Sequence, residues 1–316
     1  MSTYPLTATV ILCTRNRLEP LLTCLASLAA QTRPPEQIII VDSSDQALAE
    51  SERFRDAFDA TVFSATELLY LRSAPGLTAQ RNLGATRATG DIVFFFDDDV
   101  VVAPDYLAIM MADFDAHPEY GGGMGNIVGA GSRGRLVDIF RRLFLLNYAN
   151  AAGRMQPSGW PTHAVGRQEF LRVEILSGAL AAYRRQILQE YRFDEAVAGY
   201  GYMEDVDFSY RVSRRYPLFY EPRALVEHRH APLARDRMVV NRRMYLVNHH
   251  YFFSKNIYPS CRWCLLPYLW SVIGLFLLAA LAGRWEALRG YGQGIWQVLV
   301  NRWRGRPVLH DIWQGR

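Results

Sequence analysis

The 316-residue chain lacks the glycine-rich motifs that usually hold nucleotides in α/β proteins. It has neither a G-x-G-x-x-G sequence nor a Walker A sequence, which argues against an ordinary dinucleotide site and against a P-loop. It also has no internal repeat and no low-complexity linker. Half of its residues are hydrophobic, so the chain can bury a full core and is not a disordered protein.

Cysteine is scarce, because the chain has only four, too few for a disulfide scaffold. Cys13 and Cys24 lie in apolar strand and helix patterns and are expected to be packed thiols. Cys261 and Cys264 have C-x-x-C spacing, but no second pair and no histidine at zinc spacing accompanies them. We therefore expect no structural zinc site.

No secretory signal is recognisable at the amino terminus, where a short polar stretch leads into a strand-like run, so we expect a cytoplasmic location. The net charge is only +4, but arginine and lysine gather in the last third of the chain. This asymmetry predicts that the C-terminal part contacts an anionic surface. No nucleic acid is expected as a partner, because these basic residues alternate with membrane-type aromatic residues and carry no recognition motif.

Strand and helix patterns alternate through the first hundred residues. Residues 7–13 form an apolar strand pattern, residues 18–30 carry leucines at helical spacing, and residues 37–41 form a second strand pattern. A strand, a helix and a strand within about thirty residues indicate a right-handed parallel crossover. The pattern recurs with strands at 67–71 and 91–96 around a helix at 77–88. The sequence therefore predicts an α/β fold with a mostly parallel central sheet flanked by helices.

The pattern becomes more mixed after Asp99. Helical spacing predicts three further helices, at residues 105–116, 136–148 and 205–214. Strand patterns are found at residues 120–129, 174–183 and 224–226.

Three consecutive aspartates, Asp97, Asp98 and Asp99, end the last of the early strands. Carboxylates collected at the end of a buried strand are costly unless a cation is present. Hard ions such as Mg²⁺ and Mn²⁺ prefer oxygen ligands and often complete their shell with phosphate oxygens. Because ligands of open α/β sheets bind at the carboxyl ends of the strands, Thr14 and Asp42 are expected in the same crevice. The alternative is a solvated turn in which Asp99 caps the next helix.

Five blocks of the sequence resemble, in order, family-2 inverting glycosyltransferases with the GT-A fold: TATVILCTRNR, IIIVDSSD, GLTAQRNLGATRATGDIVFFFDDD, FDEAVAGYGYMEDVDFSYR and VEHRH. The similarity covers approximately the first three quarters of the chain. It implies transfer of a sugar from a nucleotide-sugar donor, with Mn²⁺ or Mg²⁺ on the diphosphate.

The resemblance also implies which residues hold the donor. Thr14 and Asp42 would border the nucleobase, Arg81 would approach the diphosphate, and Asp97 with Asp98 would face the ribose or the sugar. The alternative for Arg81 is an exposed arginine on a helix face.

The remaining roles concern the metal and the reaction. By similarity, Asp99 would bind the metal, His228 would be a further ligand, and Asp205 would be the catalytic base. Asp205 could instead be a helix cap, and His228 could be structural, with His230 as a less favoured ligand. Two glycines give the loop before Asp205 the freedom to close on a donor, Gly199 and Gly201.

The last third of the chain has the composition of a membrane-associated region. Residues 239–257 mix basic and aromatic side chains, as in a helix at a membrane interface. Residues 263–283 contain no charged residue, and roughly twenty apolar residues suffice to cross a bilayer. A spanning segment, a re-entrant segment and a buried helix all stay open, since Pro267 disfavours a single straight span. We expect a glycosyltransferase domain at 1–232 and a basic, aromatic helical region at 233–316.

The leading hypothesis is a metal-dependent inverting glycosyltransferase, of the hexosyl or deoxyhexosyl class, at the cytoplasmic face of the cell membrane. Its acceptor would be a lipid-linked sugar or a growing glycan in polysaccharide biosynthesis. The segment 149–168 matches none of the blocks and is expected to shape the acceptor site. One alternative is a non-catalytic nucleotide-sugar-binding subunit of a glycan assembly complex. Another is a sugar-phosphate nucleotidyltransferase, which would carry a glycine-rich loop where this chain has CTRNRLEP.

Overall fold

The computed structural model describes residues 6–58, 63–129, 134–197, 202–229 and 238–309. Within them the strands are β1 (Ala8–Thr14), β2 (Gln37–Asp42), β3 (Glu67–Arg72), β4 (Ile92–Asp97), β5 (Val100–Val102), β6 (Gly122–Val128), β7 (Leu171–Val173), β8 (Ala181–Arg184) and β9 (Leu218–His228). The α-helices are α1 (Leu18–Ala29), α2 (Glu52–Phe58), α3 (Leu77–Arg87), α4 (Tyr106–Ala116), α5 (Arg135–Leu143), α6 (Arg185–Glu190), α7 (Glu204–Ser213), α8 (Met238–Phe252), α9 (Leu265–Leu281) and α10 (Trp285–Trp303).

One sheet runs through the amino-terminal part in the order β3-β2-β1-β4-β8-β6-β9-β5, with β7 also paired to β9. The first four strands are parallel, as predicted. Their register places Thr14 opposite Asp42 and Cys13 opposite Asp97, so these residues leave the sheet at the same edge. The predicted crevice at the carboxyl ends of the strands is therefore present.

The second half of the sheet brings distant residues to the end of β4. Strand β8 is antiparallel to β4, and β5 is antiparallel to β9 with Val100 opposite His228. Asp99 thus leads into a strand that pairs with β9. The alternative in which Asp99 caps a helix is wrong, since α4 begins only at Tyr106.

Two strand predictions need correction. Of the predicted strand at 174–183 only residues 181–183 lie in a strand, β8, because the residues before them turn beneath the acidic site. The predicted strand at 224–226 is part of the longer β9, which is lengthened by its pairing with β6, β7 and β5.

Buried apolar side chains cover both faces of the central strands, as expected for parallel strands between helices. Phe95 on β4 makes edge contacts with Tyr183 and Phe193. Helix α3 lies unusually close to the sheet, because a Cβ atom on Gly84 would stand 2.7 Å from Ile11 Cγ2. This close packing holds the start of α3 beside the carboxyl ends of β1 and β4.

The last three helices share a second apolar cluster with residues of segment 144–175 and with Met203 and Val206 at the start of α7. Helices α8 and α10 pack closely, since a Cβ atom on Gly290 would lie 2.6 Å from the carbonyl oxygen of Val239. Residues 262–281 are long and apolar enough to cross a membrane, with a mean hydropathy of 2.2 and 33% of the segment buried. The predicted domain boundary after residue 232 lies outside the described residues, as do His230, Gly199 and Gly201.

The predictions for the four cysteines are confirmed only in part. Cys13 on β1 and Cys24 on α1 are free thiols packed in the apolar core, which confirms the prediction. Cys261 and Cys264 are joined by a disulfide bond, which their spacing had not led us to expect.

Candidate active site

An acidic cluster with one histidine stands at the junction of β4, β5 and β9. Asp97, Asp99 and His228 each offer one ligand atom within 4.8 Å of the others. His228 Nε2 lies 2.9 Å from Asp99 Oδ1, and the side chain of Asp97 is 32% exposed. Two carboxylates and an imidazole, open on one side, fit a Mn²⁺ or Mg²⁺ ion that also takes phosphate oxygens.

Arg17, which the sequence interpretation overlooked, bridges two of the aspartates. Its guanidinium lies 2.7 Å from Asp98 Oδ1 and 2.7 Å from Asp99 Oδ2. It comes from the polar loop after β1, which the parallel register brings to the end of β4. The second arginine of TRNR, at the end of a strand predicted beside the aspartates, was the signal that could have revealed it.

The carboxyl groups of the neighbouring residues Asp98 and Asp99 have pKa values shifted in opposite directions. Burial raises the pKa of Asp98 to about 7, because Arg17 and Thr14 offset only part of the desolvation. Burial also opposes the charge of Asp99, but hydrogen bonds with His228 and Arg17 hold its pKa well below the ordinary value. Burial would lower the pKa of His228, yet Asp99 raises it. Asp99 is therefore ionised, whereas Asp98 carries its charge with difficulty.

Thr14 and Asp98 are bonded to each other. The Thr14 hydroxyl donates to Asp98 Oδ2 at 2.7 Å, and both residues are 3% exposed. The structure thus places Asp98 beneath the cluster, where it anchors Arg17. The contacts of Thr14 with a nucleobase and of Asp98 with a ribose or sugar stay predictions.

Asp42 lies at the end of β2 and is fully buried. Its carboxylate accepts hydrogen bonds from the backbone N–H groups of Ser44 and Leu48, from the Tyr70 hydroxyl and from Arg72. Burial opposes its charge, but the hydrogen bonds outweigh this and lower the pKa. The structure shows Asp42 fixing the loop after β2, and its contact with a nucleobase stays a prediction.

Arg81 connects the acidic cluster to the amino end of α7. Its guanidinium lies 3.0 Å from Glu204 Oε1 and 3.2 Å from Asp97 Oδ1, and donates to the carbonyl oxygen of Gly178 at 3.0 Å. The alternative of an exposed helix-face arginine is wrong, because Arg81 is 3% exposed. A side chain at Gly178 would meet both Arg81 and Asp205 at about 3 Å.

Asp205 is the second residue of α7. Its carboxylate accepts a hydrogen bond from the Gly178 N–H at 2.8 Å and another from the Val206 N–H at 2.8 Å. The N-cap position is held by Met203, but the bond from Val206 satisfies an N–H group of the first turn, so the capping alternative for Asp205 stays open. The two N–H groups bind different oxygens of the carboxylate and hold it in one orientation.

Glu204, the neighbour of Asp205, was also missed by the sequence interpretation. Burial, reinforced by the charge of Asp205, raises the pKa of Glu204 to about 8 despite the nearby Arg81. Its Oε2 atom is buried and makes no hydrogen bond within the described part of the chain. Glu204 therefore serves as an internal partner of Arg81.

The relatives that sequence comparison finds are glycosyltransferases. Residues 9–192 match the family model described as glycosyl transferase family 2. A glucosyl-dolichyl phosphate glucuronosyltransferase of Haloferax volcanii is 29% identical over 116 residues, covering 35% of this chain and 34% of that protein. The glycosyltransferase YwdF of Bacillus subtilis is 26% identical over 106 residues, covering 34% of this chain and 37% of that protein. The matches thus span about a third of the length of these relatives.

Solved structures share the fold over most of the chain. The mannosyltransferase PcManGT of Pyrobaculum calidifontis, in complex with GDP-Man and Mn²⁺, has a TM-score of 0.58 at 18% identity, covering 99% of this chain and 89% of that chain. GalNAc-T7 with UDP, GalNAc and Mn²⁺ has a TM-score of 0.57 at 15% identity, covering 80% of this chain and 48% of that chain. The predicted GT-A-type fold is confirmed.

Proposed function

The chain belongs to glycosyl transferase family 2, and from that premise we propose that it is a metal-dependent inverting glycosyltransferase with a nucleotide-sugar donor. The acceptor is a hydroxyl group of a lipid-linked sugar or a growing glycan. One observation carries this proposal: Arg81 joins the cluster of Asp97, Asp99 and His228 to the amino end of the helix that holds Asp205.

The proposed metal site consists of Asp99 and His228, with Asp97 as a third ligand. A bound Mn²⁺ or Mg²⁺ would act as a Lewis acid for the departing diphosphate. The oxygen and imidazole donors of this chain suit these ions, and two structures that share the fold contain Mn²⁺.

Inversion requires the acceptor hydroxyl to attack the anomeric carbon from the side opposite the leaving group. In the proposed reaction Asp205 takes the proton of that hydroxyl. The hydrogen bond from the Gly178 N–H fixes one carboxylate oxygen of Asp205 and keeps the group oriented. Arg81, held by Glu204, keeps Asp97 in place on the donor side.

Two features support an acceptor borne by a lipid, and the proposed location is the cytoplasmic face of the membrane. The Haloferax volcanii relative is named for a dolichyl phosphate substrate, and the C-terminal helices of this chain carry many exposed apolar side chains. The proposed domain organisation is a glycosyltransferase domain at 1–232 and a membrane-associated helical region at 233–316.

The proposal can be tested with purified protein, Mn²⁺ and a panel of UDP-, GDP- and dTDP-sugars. Asp205→Asn should retain nucleotide binding by calorimetry and lose on the order of 10² to 10⁴ in transfer rate. Asp115→Asn, an exposed change in α4, is the matched control and should keep full activity. NMR of the product reports whether the anomeric configuration is inverted. Full transfer by Asp205→Asn would refute the role of the base, and a folded protein that binds no nucleotide would refute the function.

A further inference from the structure

The exposed apolar side chains of the protein concentrate on α5, α9 and α10. On α5, Leu136 is 82% exposed and Leu143 is 62% exposed. Five tryptophans of the same region are also exposed, by 43% to 84%: Trp263, Trp270, Trp285, Trp296 and Trp303. We call the exposed apolar side chains of residues 136–143, 263–281 and 285–303 the apolar face.

Each helix contributes one stripe to this face. On α9 the exposed residues recur three or four positions apart: Leu266, Leu269, Ile273, Leu277 and Leu281. The other side of α9 is packed against protein, with Ser271 and Leu275 buried. A helix that is apolar on its exposed side as well as on its protein-facing side is expected to contact a second apolar environment besides the protein core.

The stripes are continuous from helix to helix. The Trp270 indole stacks on Phe144 with ring centroids 4.6 Å apart, and its Nε1–H donates to the carbonyl oxygen of Leu143 at 2.9 Å. Leu281 and Trp285, both about three quarters exposed, flank the turn between α9 and α10. The apolar face therefore extends over all three helices, with the exposed Arg284 in the turn between α9 and α10.

Within the described residues only 262–281 are long and apolar enough to cross a membrane, so α9 would have to cross alone. A single crossing would leave the preceding α8 and the following α10 on opposite sides of the bilayer. These two helices instead pack directly together, because Gly290 meets the Val239 carbonyl and Gly294 meets Leu246. This packing is incompatible with a crossing by α9 alone.

The charge of this region identifies the kind of surface that it meets. Residues 238–309 contain nine basic residues and one acidic residue, Glu286, which gives a net charge of +8 in a chain whose total is +4. Several of the arginines are exposed beside the tryptophans of the apolar face: Arg262, Arg284, Arg289, Arg302 and Arg304. Arginine with interfacial tryptophan is the composition of helices that lie on anionic lipid.

We propose that the apolar face of α5, α9 and α10 lies in the plane of an anionic bilayer, with α9 inserted at the headgroup level and not spanning. This inference deepens the proposed function by naming the membrane partner and the mode of contact. It is tested by lipid binding without any sugar transfer, so that either proposal can fail alone.

The lipid partner is tested by flotation of the full-length protein with vesicles. We expect binding to vesicles of phosphatidylcholine with phosphatidylglycerol, and on the order of twentyfold weaker binding for the double variant Arg302→Gln with Arg304→Gln. Arg87→Gln, an exposed arginine on α3, is the matched control and should bind as the wild type does. Equal binding to vesicles of phosphatidylcholine alone would overturn the anionic partner.

The apolar contact is tested by Trp296→Ser combined with Trp303→Ser, which should weaken vesicle binding about tenfold or more. Leu225→Ser, an exposed apolar residue of β9, should leave binding unchanged. Unchanged binding of the tryptophan variant would overturn the proposal. So would light scattering that shows a wild-type dimer dissociated by these changes while vesicle binding persists, because the face would then hold a second copy.

The in-plane arrangement makes a separate prediction for membranes of cells that express the full chain. An alkaline carbonate wash should release the protein, since no helix crosses the bilayer. Retention after the wash, together with protection of the carboxyl terminus from protease on the cytoplasmic side, would overturn the in-plane arrangement and establish a span.

Discussion

The ammonium group of Lys255 lies 2.9 Å from Asp207 Oδ1 and 2.6 Å from Asp194 Oδ2. Asp207 is on α7, two residues after Asp205, and it also accepts a hydrogen bond from Asn256 at 2.8 Å. Lys255 is the only lysine of the chain and lies in a π-helical turn that follows α8. Lys255 thus connects the segment after α8 to α7, the helix of the proposed base. Single π-helical turns are often found at functional sites.

We expect Lys255→Met to lower both stability and transfer rate. The change leaves Asp207, whose side chain is 2% exposed, without its ammonium partner. Loss of one partner of a buried pair costs about 3–5 kcal/mol, and the 30% exposure of Lys255 together with the remaining Arg211 partner of Asp207 reduces this to about 2 kcal/mol. Denaturant unfolding and turnover measure the two effects.

Lys255→Arg is the matched variant, because it keeps a positive charge near both carboxylates. It should recover more than half of the lost stability. If Lys255→Met unfolds at the same denaturant concentration as the wild type, the clamp has no energetic role.

Arg17 is expected to compete with a metal ion for the acidic cluster. Arg17→Ala removes the cation that holds Asp98 and Asp99, so the free protein becomes less stable and gains more from Mn²⁺. We expect the rise in Tm on adding Mn²⁺ to be several degrees larger than in the wild type.

Arg15→Ala is the control for this comparison, since Arg15 is about half exposed and pairs with Asp45 away from the cluster. Differential scanning calorimetry with and without Mn²⁺ gives the shift for all three proteins. A smaller shift in Arg17→Ala than in the wild type would show that Arg17 assists the metal instead of competing with it.

Arg81→Lys should lower both stability and turnover although it conserves the positive charge. The guanidinium reaches Glu204, Asp97 and the Gly178 carbonyl at once, and an ammonium group cannot span these three acceptors. We expect a loss of about 2 kcal/mol in the free energy of unfolding and a fall in turnover of tenfold or more.

Arg87→Lys on the same helix provides the matched control, because its side chain is exposed. It should change neither quantity measurably. Normal turnover of Arg81→Lys would mean that the link between Asp97 and α7 does not matter for transfer.

The parallel half of the sheet was predictable because it depends on local patterns. Apolar runs such as the one before Asp97 have only one stable place, between two helical layers, and the crossover rule then determines which edge carries the polar loops. For the same reason Thr14, Asp42 and Asp97 were correctly expected at one edge.

What could not be predicted depends on contacts between distant residues. The sequence shows Arg17 and Asp98 as separate polar residues, and only the folded register brings them within 2.7 Å. Arg81 and Glu204 are likewise 123 positions apart in the chain. Alternation and helical spacing report which side of an element is buried, but they carry no information about which buried charges will meet.

His249 provides a test by pH. It is fully buried, stacked on Trp160 with ring centroids 3.6 Å apart, and its Nε2 lies 3.0 Å from the carbonyl oxygen of Ser158. Because a carbonyl oxygen only accepts, Nε2 carries the proton of a neutral ring. Burial lowers the pKa of His249 from the ordinary 6.5 to about 3.

The sign of the pH effect follows from this shift. Below pH 6.5 the unfolded chain binds a proton at this position and the folded protein does not, so stability falls as the pH falls towards 3. At pH 5.5 the loss from His249 should be about 1.4 kcal/mol relative to pH 8. His249→Phe keeps the aromatic stack, and its stability should depend less on pH by this amount. Denaturant unfolding of both proteins at pH 8 and pH 5.5 measures the difference, and an equal loss in the two would show that His249 takes up its proton in the folded state as readily as in the unfolded chain.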